Sequence, residues 1–253
     1  FHRAQHRVPA RRAAHLIVGH RSSHCWTNVA IIQLARRRTR SVPMVEFFDF
    51  ELSADTYKVR LLLDALGVER TTRLVESYPS REERSAWFLA LNPRGELPVI
   101  RDDGEVIDGV APILIHLARR YDPTGRWYPE RDASVAPSLA LWLDFAGALA
   151  ASAGAARRHD GLLDQNVDID RARRDAHALL RRLDEHLWFA EQQGGDWLVP
   201  LDHPTIADIA CFPDVMLAEE GHVLLHEYNA VRRWTDRVKG IAGFEPMPGM
   251  FPV

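Results

Sequence analysis

At 253 residues the chain suits one large domain or two small ones, and its 46% apolar and 26% charged residues are ordinary for a globular protein. Two cysteines, Cys25 and Cys211, exclude a disulfide-dense scaffold and a Cys-rich zinc site, and no uninterrupted apolar run reaches the roughly 18 residues that span a bilayer. A formal net charge of −3 argues against nucleic acid as a partner, provided the charge is evenly spread.

It is not evenly spread. Residues 1–43 hold nine of the 32 basic residues, all arginine, and no Asp, Glu or Lys, a charge of +9. Residues 44–253 keep the other 23 against all 35 acidic residues, a charge of −12. The chain is a basic arm on an acidic body. The arm resembles an organelle transit peptide in composition. Its expected reading is upstream sequence carried in frame, with the native chain starting at Met44, directly before the first strand. A disordered native arm, or a targeting or nucleic-acid-contacting segment, are the alternatives. His2/His6 and His20/His24 would share helix faces, but no carboxylate or third ligand accompanies them, so no metal is expected. Arg11-Arg12 lacks the apolar segment that a twin-arginine signal needs.

In the body, Val45–Phe50 reads as an aromatic-rich strand, followed by a polar turn at 51–56 with capping residues. Val59, Leu62, Leu63 and Leu66 then lie on one helix face, and Gly67 closes the helix as a C′ glycine. A weaker strand covers 71–75 and a helix 80–91. Leu97–Ile100 and Glu105–Ile107 read as strands around the hairpin signal Asp102-Asp103-Gly104. Ile113, Leu114, Leu117 and Ala118 mark another helix, ending near Tyr121. This βαβ then ββα order predicts a small mixed sheet with a right-handed parallel crossover. Asp122-Pro123-Thr124-Gly125-Arg126 is a linker. Beyond it only helices are expected: 133–158 with Leu139, Leu143, Ala146 and Ala150 in register, 168–193 closed by Gly194-Gly195, then 205–220 and 228–239. The expected division is an arm over 1–43, an α/β domain over 44–122, a linker over 123–132 and an all-α domain over 133–253.

Thr205-Ile206-Ala207-Asp208 is a capping box, in which Thr and Asp side chains satisfy first-turn N–H groups. With Pro204 before it, the segment resembles the helix-6 signature of glutathione transferases. Other segments follow in family order. Ser53–Arg60 resembles the first turn and helix. Leu91-Asn92-Pro93-Arg94-Gly95-Glu96-Leu97-Pro98-Val99 resembles the Asn-Pro-x-Gly-x-(apolar)-Pro segment. Leu117–Tyr121 resembles the end of the third helix, and Gly243–Met247 the tail of many bacterial members. The resemblance covers 44–253 and none of the arm. It implies a thioredoxin-like N-terminal domain, an all-α C-terminal domain, glutathione as co-substrate, no metal, a cytoplasmic homodimer and a role in detoxification.

The resemblance also assigns residues. Conjugation needs a thiolate, and a free thiol titrates near ~8.5, so lowering it by two units requires about 2.7 kcal/mol of stabilisation. Ser53, between the first strand and first helix, matches the thiolate-stabilising Ser of serine-type members; a plain cap serine is its alternative reading, and Thr56 is the rival hydroxyl. Cys occupies this position in many relatives, and residues 44–122 contain none. Pro98 resembles the family's cis-proline, beside which the Leu97 backbone pairs with the cysteinyl part of glutathione; Glu96 belongs to the same segment. At the third helix, relatives have an acidic residue followed by Ser, holding the γ-glutamyl carboxylate. Here Gly109-Val110 stand there and Asp108 lies one residue early. Losing a hydrogen bond to a charged group costs about 1.5–3 kcal/mol, roughly 10- to 100-fold in affinity.

Trp142 and Phe145 fall where the fourth helix can line an acceptor pocket, or pack in the core. Lys58 and Arg60 read as solvated helix charges or as attractors of an anionic ligand. Cys211 reads as a buried core thiol. The leading expectation is a transferase joining glutathione to small electrophiles, without nucleic acid or membrane partners. Glutathione-dependent reduction or isomerisation on the same scaffold, and a non-catalytic interaction module, are the alternatives.

Overall fold

Phe47 and Phe48 are neighbours on one strand, and both are buried. A strand buried on both faces must sit between two layers. The structure, a computed structural model describing residues 44–162 and 166–247, shows how. The arm 1–43, with its histidine pairs, lies outside these residues. Strand β1 (Val45–Asp49) leads into helix α1 (Ala54–Ala65), β2 (Arg70–Leu74), a 3-10 turn (Glu82–Arg84), α2 (Ala86–Leu91), β3 (Val99–Asp102), β4 (Glu105–Asp108) and α3 (Val110–Tyr121). The strands form one mixed sheet in the order β2-β1-β3-β4, with β1 parallel to β2 and antiparallel to β3. Phe47 joins the main core with α1 and α3, while Phe48 packs with Val75, Phe88 and Val99 in a small second cluster that α2 covers.

Local chemistry explains most boundaries. Ser53 is the N-cap of α1, its Oγ accepting the Thr56 N–H at 3.3 Å. Asp103 and Gly104, at φ of 52° and 87°, form the two-residue hairpin turn between β3 and β4, in which Asp102 pairs with Glu105. The single helix expected over 80–91 is instead a 3-10 turn and α2, because Ser85 adopts extended backbone and caps α2 through its Oγ. The third strand starts at Val99 rather than Leu97.

From α4 onward the described elements are helical: α4 (Ala136–Ala151), α5 (Ala153–Leu162), α6 (Ile169–Gln192), α7 (Ile206–Met216), a 3-10 turn (Ala218–Gly221) and α8 (Asn229–Lys239). The helix expected over 133–158 breaks at Ser152, whose hydroxyl donates to the Ala148 carbonyl at 2.8 Å. Its buried stripe is Leu139, Trp142, Phe145, Ala146 and Leu149, so the expected register is displaced by about one residue. By length and composition Ala136–Leu162 could cross a membrane, contrary to the expectation from uninterrupted runs, but 56% of its most apolar window is buried inside the protein.

Helix α7 is buried from Ile206 through Val215. Its capping box forms as expected, and Asp208 reaches further: Oδ1 accepts the N–H of Leu198 at 3.1 Å and the Trp234 indole N–H at 2.9 Å, while Oδ2 accepts the Thr205 N–H at 2.9 Å.

Candidate functional site

The turn after β1 builds the site. Ser53 N–H donates to the Phe50 carbonyl at 2.9 Å, closing the turn, and the chain enters α1 with Ser53 extended at φ −87°, ψ 123°. Because Ser53 Oγ accepts from the Thr56 N–H, its own proton is left to donate to a ligand. Thr56 does not compete. It is fully buried, and its hydroxyl sits 2.7 Å from the Phe50 carbonyl and 3.1 Å from that of Ser53.

Ser53 lines a cavity of about 420 Å³, walled on one side by this turn, Glu83 and Leu97, and on the other by Ala150, Gly154, Arg157 and Arg158 of α4 and α5. The Leu97–Pro98 peptide is cis, and so is Tyr78–Pro79, which the sequence reading did not single out. Gly109 N–H donates to the Pro98 carbonyl at 3.2 Å, which joins the start of α3 to the Leu97 segment.

Among the expected site residues, the cavity therefore brings together Ser53 and Leu97. Glu96 is exposed, 3.4 Å from Arg94, and Asp108 pairs with the same Arg94. Pro98, Asp108, Gly109 and Val110 adjoin the Leu97 segment without lining the cavity. Gly109 caps α3 at φ 86° and supplies no side-chain hydrogen bond. Trp142 and Phe145 do not line the cavity either. Both are buried, with ring centroids 5.0 Å apart and Trp142 4.6 Å from His186, because the register of α4 turns them toward α6. The small residues Ala150, Ala151 and Gly154 take the cavity side instead.

Neither reading of Lys58 holds. Its side chain is 2% exposed, with Nζ 2.7 Å from Asp55 and 2.6 Å from Asp214 of α7. Burial pushes its ammonium pKa down, but the two carboxylates outweigh this and hold it above the ordinary lysine value. Arg60 lies 3.6 Å from Asp49 and 5.4 Å from the Tyr57 ring centroid. Cys211 is buried, as expected, and burial pushes its thiol well above the usual range.

Arg157 escaped the sequence reading. It is buried; its Nη1 donates to the Leu52 carbonyl at 2.7 Å, its Nε lies 2.6 Å from Glu220, and Nη2 has no partner among the described residues. Glu83 Oε2, from another cavity-lining residue, is also a buried polar atom without a partner among the described residues. A sequence signal for Arg157 was absent: an arginine pair ending an Ala-rich helix normally faces water.

Comparison with known proteins bears on this geometry. The family model for the glutathione S-transferase N-terminal domain matches residues 53–120. A glutathione S-transferase, verG, of Clonostachys rogersoniana is 24% identical over 197 residues, 72% of this chain and 78% of the relative. A glutathione S-transferase from Xanthobacter autotrophicus Py2 superposes with a TM-score of 0.71 at 28% identity, covering 81% of this chain and 98% of the other. A glutathione transferase homologue from Lodderomyces elongisporus, solved with two GSH per subunit, shares the fold at a TM-score of 0.67 and 21% identity, covering 77% and 92% of the two chains.

Proposed function

We propose that this chain, which carries the fold and motifs of the glutathione S-transferase family, binds glutathione beside Ser53 and conjugates it through its sulfur to small electrophiles. The observation that carries this is the state of the Ser53 hydroxyl: its acceptor side is used by the Thr56 N–H, and its proton is free at a cavity wall. A hydroxyl proton donated to sulfur favours the thiolate over the thiol, as does the positive end of α1 that Ser53 caps. The thiolate then attacks the electrophilic carbon, and the new C–S bond forms as the leaving group departs or a double bond is saturated. The glutathione-bound neighbour supports the ligand through fold alone. A homodimer and a cytoplasmic location are carried over from the family with this proposal.

One observation favours a second reading. The start of α3 offers no hydroxyl, and Asp108 is already engaged by Arg94, so the hold on a γ-glutamyl carboxylate is weakened. That fits a non-catalytic member better than a reductase or isomerase. Calorimetric titration with glutathione, paired with a conjugation assay, separates the two. Ser53→Ala is expected to lower conjugation roughly 10- to 100-fold, the value of one hydrogen bond to a charged group, with glutathione affinity changed far less. Conjugation unchanged in the variant would remove Ser53 from the mechanism. No binding at millimolar glutathione would refute the enzymatic reading altogether.

A further inference from the structure

Two buried cations hold the turn that carries Ser53, one on each side of it. Arg157 donates to the carbonyl of Leu52, the residue before Ser53, and Lys58 pairs with Asp55, two residues after it. Both cations are anchored by acids of the helical half: Arg157 by Glu220 in the 3-10 turn, Lys58 by Asp214 on α7. Burying charge costs stability even when the charge is paired, and Arg157 additionally leaves Nη2 without a partner. A hydrophobic side chain would satisfy packing alone at lower cost.

Resting on the function proposed above, we infer that Arg157 is a positioning residue: the helical half orients the Ser53 hydroxyl through it. The guanidinium is planar, so bonds to the Leu52 carbonyl and to Glu220 fix its plane and with it the carbonyl. That carbonyl belongs to the peptide whose nitrogen is Ser53's own. Fixing it limits rotation of the turn and keeps Ser53 Oγ at the cavity wall. Lysine is a point donor and cannot hold both groups in one plane, so charge without the fork is insufficient. Close packing supports the geometry: a Cβ on Gly221 would sit 2.6 Å from the Arg157 backbone nitrogen, so the 3-10 turn bearing Glu220 lies directly against α5.

The test measures the thiolate fraction of bound glutathione at neutral pH, by its ultraviolet absorbance, in the wild type, S53A, R157K and the S53A/R157K double variant. S53A and R157K are each expected to lower that fraction about tenfold. The double variant should lose no more than S53A alone, because Arg157 acts through Ser53. A wild-type thiolate fraction in R157K, or losses that multiply in the double variant, overturns the inference. An effect absent already in S53A, or no glutathione bound by the wild type, overturns the underlying function instead. Melting temperature identifies a variant that fails to fold. For R157K in that case, Glu220→Gln, which weakens the anchor, is expected to shift the thiolate fraction in the same direction, and no shift overturns the inference.

Discussion

Val110 stands in the first turn of α3, at the position where the family that the sequence resembles is expected to carry a hydroxyl. The structure leaves this place unfilled: Gly109 contributes no capping side chain, and the Asp108 carboxylate is drawn to Arg94. Val110→Ser restores a donor next to the helix N-terminus, where an anion is already favoured. It is expected to tighten glutathione binding up to about 10-fold, read by calorimetry. An unchanged dissociation constant would show that the start of α3 does not reach the ligand. At this scale the sequence was informative for the conformation of Ser53, an N-cap at the cavity wall, and of Pro98, which follows a cis peptide bond. For Trp142 and Phe145 it left two readings open, of which the core one is seen, and it misled for Lys58, because a residue type says little about which neighbours reach it.

Among the elements, α7 is buried from Ile206 through Val215 and yet carries two buried carboxylates, Asp208 and Asp214. Asp208 accepts from Thr205, Leu198 and Trp234 and so ties the helix start to a preceding loop and to α8. The capping box was legible, since it depends on residues three apart; the reach of Asp208 to Trp234 was not. Thr205→Ala should cost about 1–2 kcal/mol, an ordinary cap loss. Asp208→Ala should cost on the order of 3–5 kcal/mol, since it leaves several buried donors unsatisfied. Denaturant midpoints measure both, and equal costs would mean the bonds to Leu198 and Trp234 contribute nothing. The break between α4 and α5 follows the same logic. Alanine and leucine periodicity predicts one continuous helix, while Ser152 bonds back to Ala148 and Gly154 lets Asp214 approach to 2.5 Å of where a Cβ would stand.

Across the whole molecule, Tyr57 links α1 to the chain's far end, donating to the Glu245 carbonyl at 2.7 Å. Burial, opposed in part by Arg60, pushes its hydroxyl from 10.0 up to about 12. The unfolded chain therefore ionises Tyr57 first. Its contribution to stability is complete below pH 10 and is lost as pH rises toward about 12. Lys58 acts in the same direction, its folded value also being raised. Tyr57→Phe should flatten part of the decline in melting temperature over this window, and a decline as steep as in the wild type would show that Tyr57 ionises freely in the folded state.

The opening net charge of −3 describes neither the arm nor the body, and for the body alone the excess of acid is clear. The amino-acid sequence by itself determined the order of the strands and most helices, several of their caps and turns, and the resemblance to a family. These depend on backbone sterics and on apolar spacing over a few residues, which the chain carries locally. Tertiary structure alone decided which charges are buried and what the cavity walls are made of. Arg157 meets Leu52 across 105 residues of chain, and Lys58 meets Asp214 on a helix of the other half. Such pairings depend on how packed elements rotate and approach one another, and no local periodicity encodes that.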